Sequence, residues 1–288
     1  MRVAETSASL KACLHAELHL ARHSLGARLL VLTPLLLACL QLIIASLGET
    51  GAQAQQALLG AEAESAQQGY GFWVDSLLTG LTCLSLLAVA QAAYGLAAER
   101  DSGALRHLVI RRASRSTLVV SKLIALHLLI TLALLLLLLG SWGLSALLWE
   151  LGAVIEDGYE LISEGEILTE IHLGLQLAIL PLPAALAFGI LISVLAQSAT
   201  QALTLALGAT LGFDVFKASL GDSAGYVFAN FLPSLVDASY LGDVARLARG
   251  YSDVLIDERL LSLNTWTPLP AFLLCLVLSL IFVQRKSL

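Results

Sequence analysis

The chain has 288 residues, 58% of them hydrophobic and 13% charged, with 16 Lys and Arg against 22 Asp and Glu. Soluble domains carry about 25% charged residues, so this composition excludes an ordinary soluble enzyme or nucleic-acid-binding module and describes an all-α integral membrane protein. The net charge of −6 says nothing of orientation, which follows the placement of Lys and Arg.

In chain order, residues 1–28 form a predicted interfacial helix. Leu10, Leu14, Leu18, Ala21 and Leu25 recur at spacings of three and four, with Lys11, Glu17, Arg22 and His23 on other faces, the pattern of a helix lying on a membrane. His15, His19 and His23 follow at i, i+4 and i+8, but no carboxylate or thiol shares their face, so they are read as a solvated face and no metal site is assigned. Residues 29–288 form the transmembrane domain. Apolar runs at 29–47, 74–98, 123–149, 171–196, 199–216 and 268–283 predict six spans of a ~30 Å hydrocarbon core. Pro181 and Pro183 should kink the fourth.

Between the second and third spans lies a basic stretch, 98–122. Ser102 is placed to cap a short helix over 103–110, and Ser114 or Ser116 to cap the third span. The acidic loop 150–170 has no Lys or Arg and reads as outward. The outer segment, 217–267, contains SAGYVFANFLPSLV at 223–236, too short to span and read as a re-entrant or surface helix pair. With both ends of the chain cytoplasmic, Arg2, Lys11, Arg22, Arg28, Arg100, Arg106, Arg111, Arg112, Arg115, Lys122, Arg285 and Lys286 lie inside, twelve of the sixteen basic residues, as the positive-inside rule demands.

Catalytic constellations are absent from the sequence. His15-Ala16-Glu17-Leu18-His19 places its glutamate one residue late for H-E-x-x-H, and neither G-x-S-x-G nor G-x-x-x-x-G-K-[ST] occurs. Cys13, Cys39, Cys83 and Cys275 are single and widely spaced, so they read as buried hydrophobes. Polar residues within or beside the spans are mild: Gln41, Gln91, Tyr94 and Gln176, with Asp75 and Asp214 toward the predicted outer ends. They are candidates either for inter-helix hydrogen bonds or for a substrate path. Asp214 and Lys217 are spaced to pair at i, i+3. Gly208 and Gly212 form a G-x-x-x-G in the fifth span, a face for close helix approach within the chain or across a dimer.

The residues Glu99, Gly103, Ala104-Leu105, Leu108 to Ile110, Ser114-Arg115 and Lys122 resemble the cytoplasmic loop of ABC-2-type transporter permeases. There an acidic residue, Gly-Thr-Leu, a short apolar stretch, Pro-x-Ser-Arg and a Lys lead into the third span; Ala104 replaces the usual Thr and Arg112 the usual Pro. The layout of the whole chain resembles that family too. Phe213-Asp214, Leu232-Pro233 and residues 243–247 look like the permease subgroup serving nitrous-oxide reductase maturation, although Met1 is the only methionine and a thioether copper path finds no support.

The resemblance implies a half-transporter, an exporter subunit of the bacterial inner membrane. Two copies, or one with a close homologue, would pair with two copies of a separate ATP-binding subunit, which would hold ATP and Mg; this chain would hold no cofactor and act on no nucleic acid. The loop would dock that subunit through Glu99, Gly103, Leu105, Arg106, Leu108, Val109, Arg111, Arg112, Arg115 and Lys122. A secondary carrier, and a membrane scaffold or assembly factor without transport activity, are the alternatives.

Overall fold

The computed structural model describes residues 2–59, 69–103, 114–156, 159–236, 239–251 and 257–285. Helix α1 (Arg2–His23) breaks at Ser24 and leads into α2 (Leu25–Leu59), followed by α3 (Gly69–Asp101) and α4 (Arg115–Leu148). At about 1.5 Å per residue, the 35, 33 and 34 residues of α2, α3 and α4 each reach about 50 Å, beyond a ~30 Å core. The helices therefore run past the apolar stretches that announce them. Among the described residues six helical segments are long and apolar enough to cross a membrane, and the chain is an all-α membrane protein. Below, the end carrying α1 is called the basic end and the opposite one the acidic end.

Helix α3 is the hub of the bundle. Val74, Leu77, Leu81, Leu84, Ala88, Ala92 and Leu96 follow one another at helical spacing and are buried. Its small residues let a neighbour come close. A side chain at Gly189, on α6 (Leu182–Leu195), would put its Cβ 2.7 Å from Ala92 Cβ and 2.9 Å from the Val89 carbonyl oxygen, so only glycine fits.

The acidic end is pinned by aromatic residues. Trp73 Nε1 donates to Ser141 Oγ at 3.0 Å, Tyr70 donates to Glu164 Oε1 at 2.6 Å, and Phe72 stacks on Trp149 at 4.8 Å. Such rings hold an apolar body and a polar tip at a membrane boundary. A short antiparallel hairpin, β1 (Val154–Glu156) and β2 (Tyr159–Ile162), precedes α5 (Glu164–Ile179). Ser163 and Glu166 close a reciprocal capping box on α5. The fourth span breaks between α5 and α6 at Leu180–Pro181, as its prolines predict.

Helix α7 (Ala199–Phe216) gives way to 3-10 turns over Lys217–Tyr226 and Phe228–Phe231, and the chain then folds back into the bundle. Ser85 donates to the Pro233 carbonyl at 2.7 Å and Thr82 to that of Ser234 at 3.3 Å, and Ser85 is midway along α3. The segment 223–236, expected as a re-entrant or surface helix pair, thus folds back against the middle of α3 and includes 3-10 turns. Asp214 belongs to this fold-back: its Oδ2 accepts from the backbone N–H of Leu235 at 3.1 Å and Val236 at 3.2 Å, and Lys217 Nζ lies 2.9 Å from its Oδ1. Asp214 thus sits deeper than the outer-end position expected from sequence, because the chain after α7 turns inward instead of leaving the bundle.

Helices α8 (Tyr240–Leu247), α9 (Glu258–Trp266) and α10 (Pro268–Arg285) complete the chain. Helix α8 buries Leu241, Val244 and Ala245. Burial, and then the Glu170 carboxylate that accepts its hydrogen bond, hold the Tyr240 phenol above its usual range. Arg249 pairs with Asp75 and lies 5.5 Å over the Phe72 ring. Asp257 caps α9, accepting from the N–H of Arg259 at 2.9 Å and of Leu260 at 3.3 Å.

Candidate functional site

At the basic end, three charges from three helices meet. Lys122, one turn and more into α4, places its ammonium 2.5 Å from Glu99 Oε1 on α3 and 2.9 Å from Glu17 Oε2 on α1. The side chains are only 8%, 18% and 13% exposed for Lys122, Glu99 and Glu17. Two carboxylates share one ammonium, and Glu99 Oε2 is buried without a hydrogen-bond partner among the described residues. A buried charge needs such partners to remain charged. The cluster therefore locks α1 against the two helices that bracket the basic loop.

Around it, the loop's two ends are tied to everything else at this end of the bundle. On the α3 side, Arg100 donates to the Ala196 carbonyl at 2.7 Å, Asp101 Oδ2 accepts from the Ala199 N–H at 2.6 Å, and Ser193 Oγ accepts from the Ala97 N–H at 2.9 Å. These bonds grip the turn between α6 and α7. On the α4 side, Arg115 donates to the carbonyls of Val283 at 3.4 Å and Gln284 at 3.3 Å, while Gln284 donates to Ser116 at 3.2 Å. Those bonds grip the end of α10.

Gly103 ends α3 with φ +75°, a left-handed conformation that glycine adopts without the penalty of a Cβ. Ser102 closes α3 by donating to the Glu99 carbonyl at 3.1 Å. The short helix it was expected to cap lies, from residue 104 onward, outside the described residues. Ser114 caps α4 as expected, accepting from the Thr117 N–H at 3.1 Å. Of the loop residues proposed from sequence, Leu105, Arg106, Leu108, Val109, Arg111 and Arg112 lie outside the described residues.

The polar residues of the spans separate into different settings. Gln91 and Tyr94 line a cavity of about 410 Å³ that also takes in Glu17, Glu99 and Lys122. Gln41 is half-buried on α2, and Gln176 is exposed and bonded to His172 at 2.8 Å. Asp214 anchors the fold-back. A larger, apolar cavity of about 550 Å³ lies between α2, α3 and the fold-back, lined by Leu37, Thr79, Thr82, Leu86, Ser234 and Leu235 among others. Among the described residues, Gly208 and Gly212 meet no atom within 4 Å of where a Cβ would stand, so no described element packs closely on that face of α7. His19 and His23 stack edge to face at 5.1 Å.

Sequence reasoning missed Glu17. It is one polar residue among several on an amphipathic helix, and nothing in its local spacing separates it from Lys11 or Arg22. Asp101 and Arg100 were visible only as charge, not as ties to the α6–α7 turn.

The comparisons agree with this layout. No curated protein and no solved structure matches the chain. The ABC-2 family transporter protein model matches residues 23–283, from the end of α1 to the residue whose carbonyl meets Arg115. The chain therefore belongs to the ABC-2 transporter family and is a multi-pass membrane permease of the ABC-transporter type.

Proposed function

We propose that this chain is the membrane-spanning half of an exporter, working as a homodimer or with a close homologue and driven by a separate ATP-binding subunit that docks on the loop 98–122. The observation that carries the reading is the convergence at the loop's base. α1, α3, α4, the α6–α7 turn and the end of α10 are all bonded to the few residues flanking it. A push on the loop would reach each of these elements through short polar contacts and packed helices rather than through a flexible tether. The basic end faces the cytoplasm of a bacterial cell, since it gathers most of the chain's Lys and Arg. The ATP-binding subunit supplies ATP and Mg.

A secondary carrier would need a carboxylate available for an ion within the spans. Asp214 is ion-paired with Lys217 and accepts from two backbone N–H groups, Asp75 is paired with Arg249 and Glu99 with Lys122; none of these three carboxylates stands without a cation, which favours the ATP-driven reading.

Docking is tested by pull-down of the ATP-binding subunit followed by ATP turnover in lipid. Apolar anchors at the centre of a contact carry its energy, while rim charges steer association. Leu105→Ala and Leu108→Ala should each weaken association by about 1–3 kcal/mol. Arg111→Glu with Arg112→Glu should act through salt-sensitive assembly. Correctly inserted Leu105 and Leu108 variants that keep wild-type binding and turnover would reduce the loop to a topological signal.

A further inference from the structure

We infer that the cavity at the basic end binds a phospholipid with a primary-ammonium headgroup, taken from the membrane leaflet on that side. The cavity holds about 410 Å³ between α1, α3 and α4. Its polar end carries two carboxylates and one ammonium, Glu17, Glu99 and Lys122, leaving an excess of one negative charge. Glu99 Oε2 is buried and accepts from no donor among the described residues.

An orphaned acceptor in a low-dielectric site calls for a donor, and the excess charge calls for a cation. A primary ammonium provides both, with three N–H donors. A quaternary ammonium has the charge without the donors. A hard metal ion would need several more oxygen ligands than Glu99 Oε2 offers, because Glu17 Oε2 and Glu99 Oε1 are already held by Lys122.

The rest of the cavity decides between a soluble amine and a lipid. Its walls continue as Leu20, Leu126 and Leu129, an apolar path for alkyl chain. Leu20 is 57% exposed, so the path opens along α1 toward the surrounding membrane. Lys122 lies seven residues into α4, about 10 Å from its start, the depth at which a headgroup passes into acyl chain when that helix end stands at the boundary. His23 and Ser24 line the cavity at the start of α2, and both offer donors to the phosphate that accompanies such an amine.

The experiment uses the full chain in nanodiscs with two photoactivatable probes, phosphatidylethanolamine and phosphatidylcholine, bearing the same diazirine acyl chain. The ethanolamine probe should label peptides of α1 and α4 around Leu20 and Leu129 at least five-fold more than the choline probe, and unlabelled phosphatidylethanolamine should compete. Glu99→Gln should lower that labelling at least five-fold. Leu129→Trp, which blocks the chain path and leaves the three charges intact, should lower it similarly. Equal labelling by both probes, or wild-type labelling in a folded Leu129→Trp variant, would overturn the inference. The readout needs no ATP-binding subunit, so its failure is distinguishable from failure of the exporter reading.

Discussion

At the scale of single residues, Lys122 is the group on which the basic end depends. Removing it leaves Glu17 and Glu99 facing each other in a nearly closed site, and an uncompensated buried charge costs about 3–5 kcal/mol. Lys122→Met should therefore lower stability by about that amount. Glu17→Gln keeps the 2.5 Å contact between Lys122 and Glu99 and should cost only about 1–2 kcal/mol. Thermal unfolding of both variants in the same lipid checks the order; equal losses would show that packing, not charge, dominates. Glu99 and Lys122 were legible in the sequence because they fall on a family pattern around the loop. Glu17 was not, because its partner is 105 positions away and its own helix surrounds it with equally polar neighbours.

At the scale of elements, the fold-back after α7 shows where pattern stops being informative. Its composition announced a segment too short to span, as Pro181 and Pro183 announced the break in the fourth span. Its depth was hidden, since that is set by hydroxyls of Thr82 and Ser85 reaching carbonyls about 150 positions later. The fold-back also needs Asp214 to satisfy two backbone N–H groups and to face Lys217, which is itself 7% exposed. Asp214→Ala strands all three groups in apolar surroundings. We expect a loss of about 3–5 kcal/mol, concentrated locally: hydrogen exchange over 217–236 should rise sharply while the centre of α3 stays protected. Uniform protection across the variant would show that packing alone holds the segment.

At the scale of the whole molecule, the open face of α7 bears on assembly. Among the described residues nothing lies within 4 Å of where a Cβ on Gly208 or Gly212 would stand, and Leu205, Val215 and Phe216 near them are exposed. Gly208→Leu with Gly212→Leu should leave the monomer's unfolding unchanged or slightly improved, since leucine favours helix over glycine. The same pair should reduce dimer recovery by holding two backbones apart. Unchanged dimer recovery and unchanged ATP turnover would assign that face to lipid. Orientation is a separate expectation: a cysteine placed at Ser102 in a cysteine-free chain should resist an impermeant reagent added outside intact cells, and rapid labelling would reverse the topology. The sequence supplied the number of spans; it could not supply which faces remain open, because that depends on every neighbour at once.

The ties at the two sides of the loop also differ in when they can be made. Both carboxylates that hold Lys122 precede it in the chain, so they are already synthesised when α4 emerges. The carbonyls that Arg115 meets lie 168 and 169 positions downstream. At about 5–20 residues per second, translation takes roughly 10–30 s to reach them. Newly made chains consequently pass through an interval in which α1 can be latched and α10 cannot, and we expect a ribosome stalled before α10 to present a protein with only one side of its loop able to be secured.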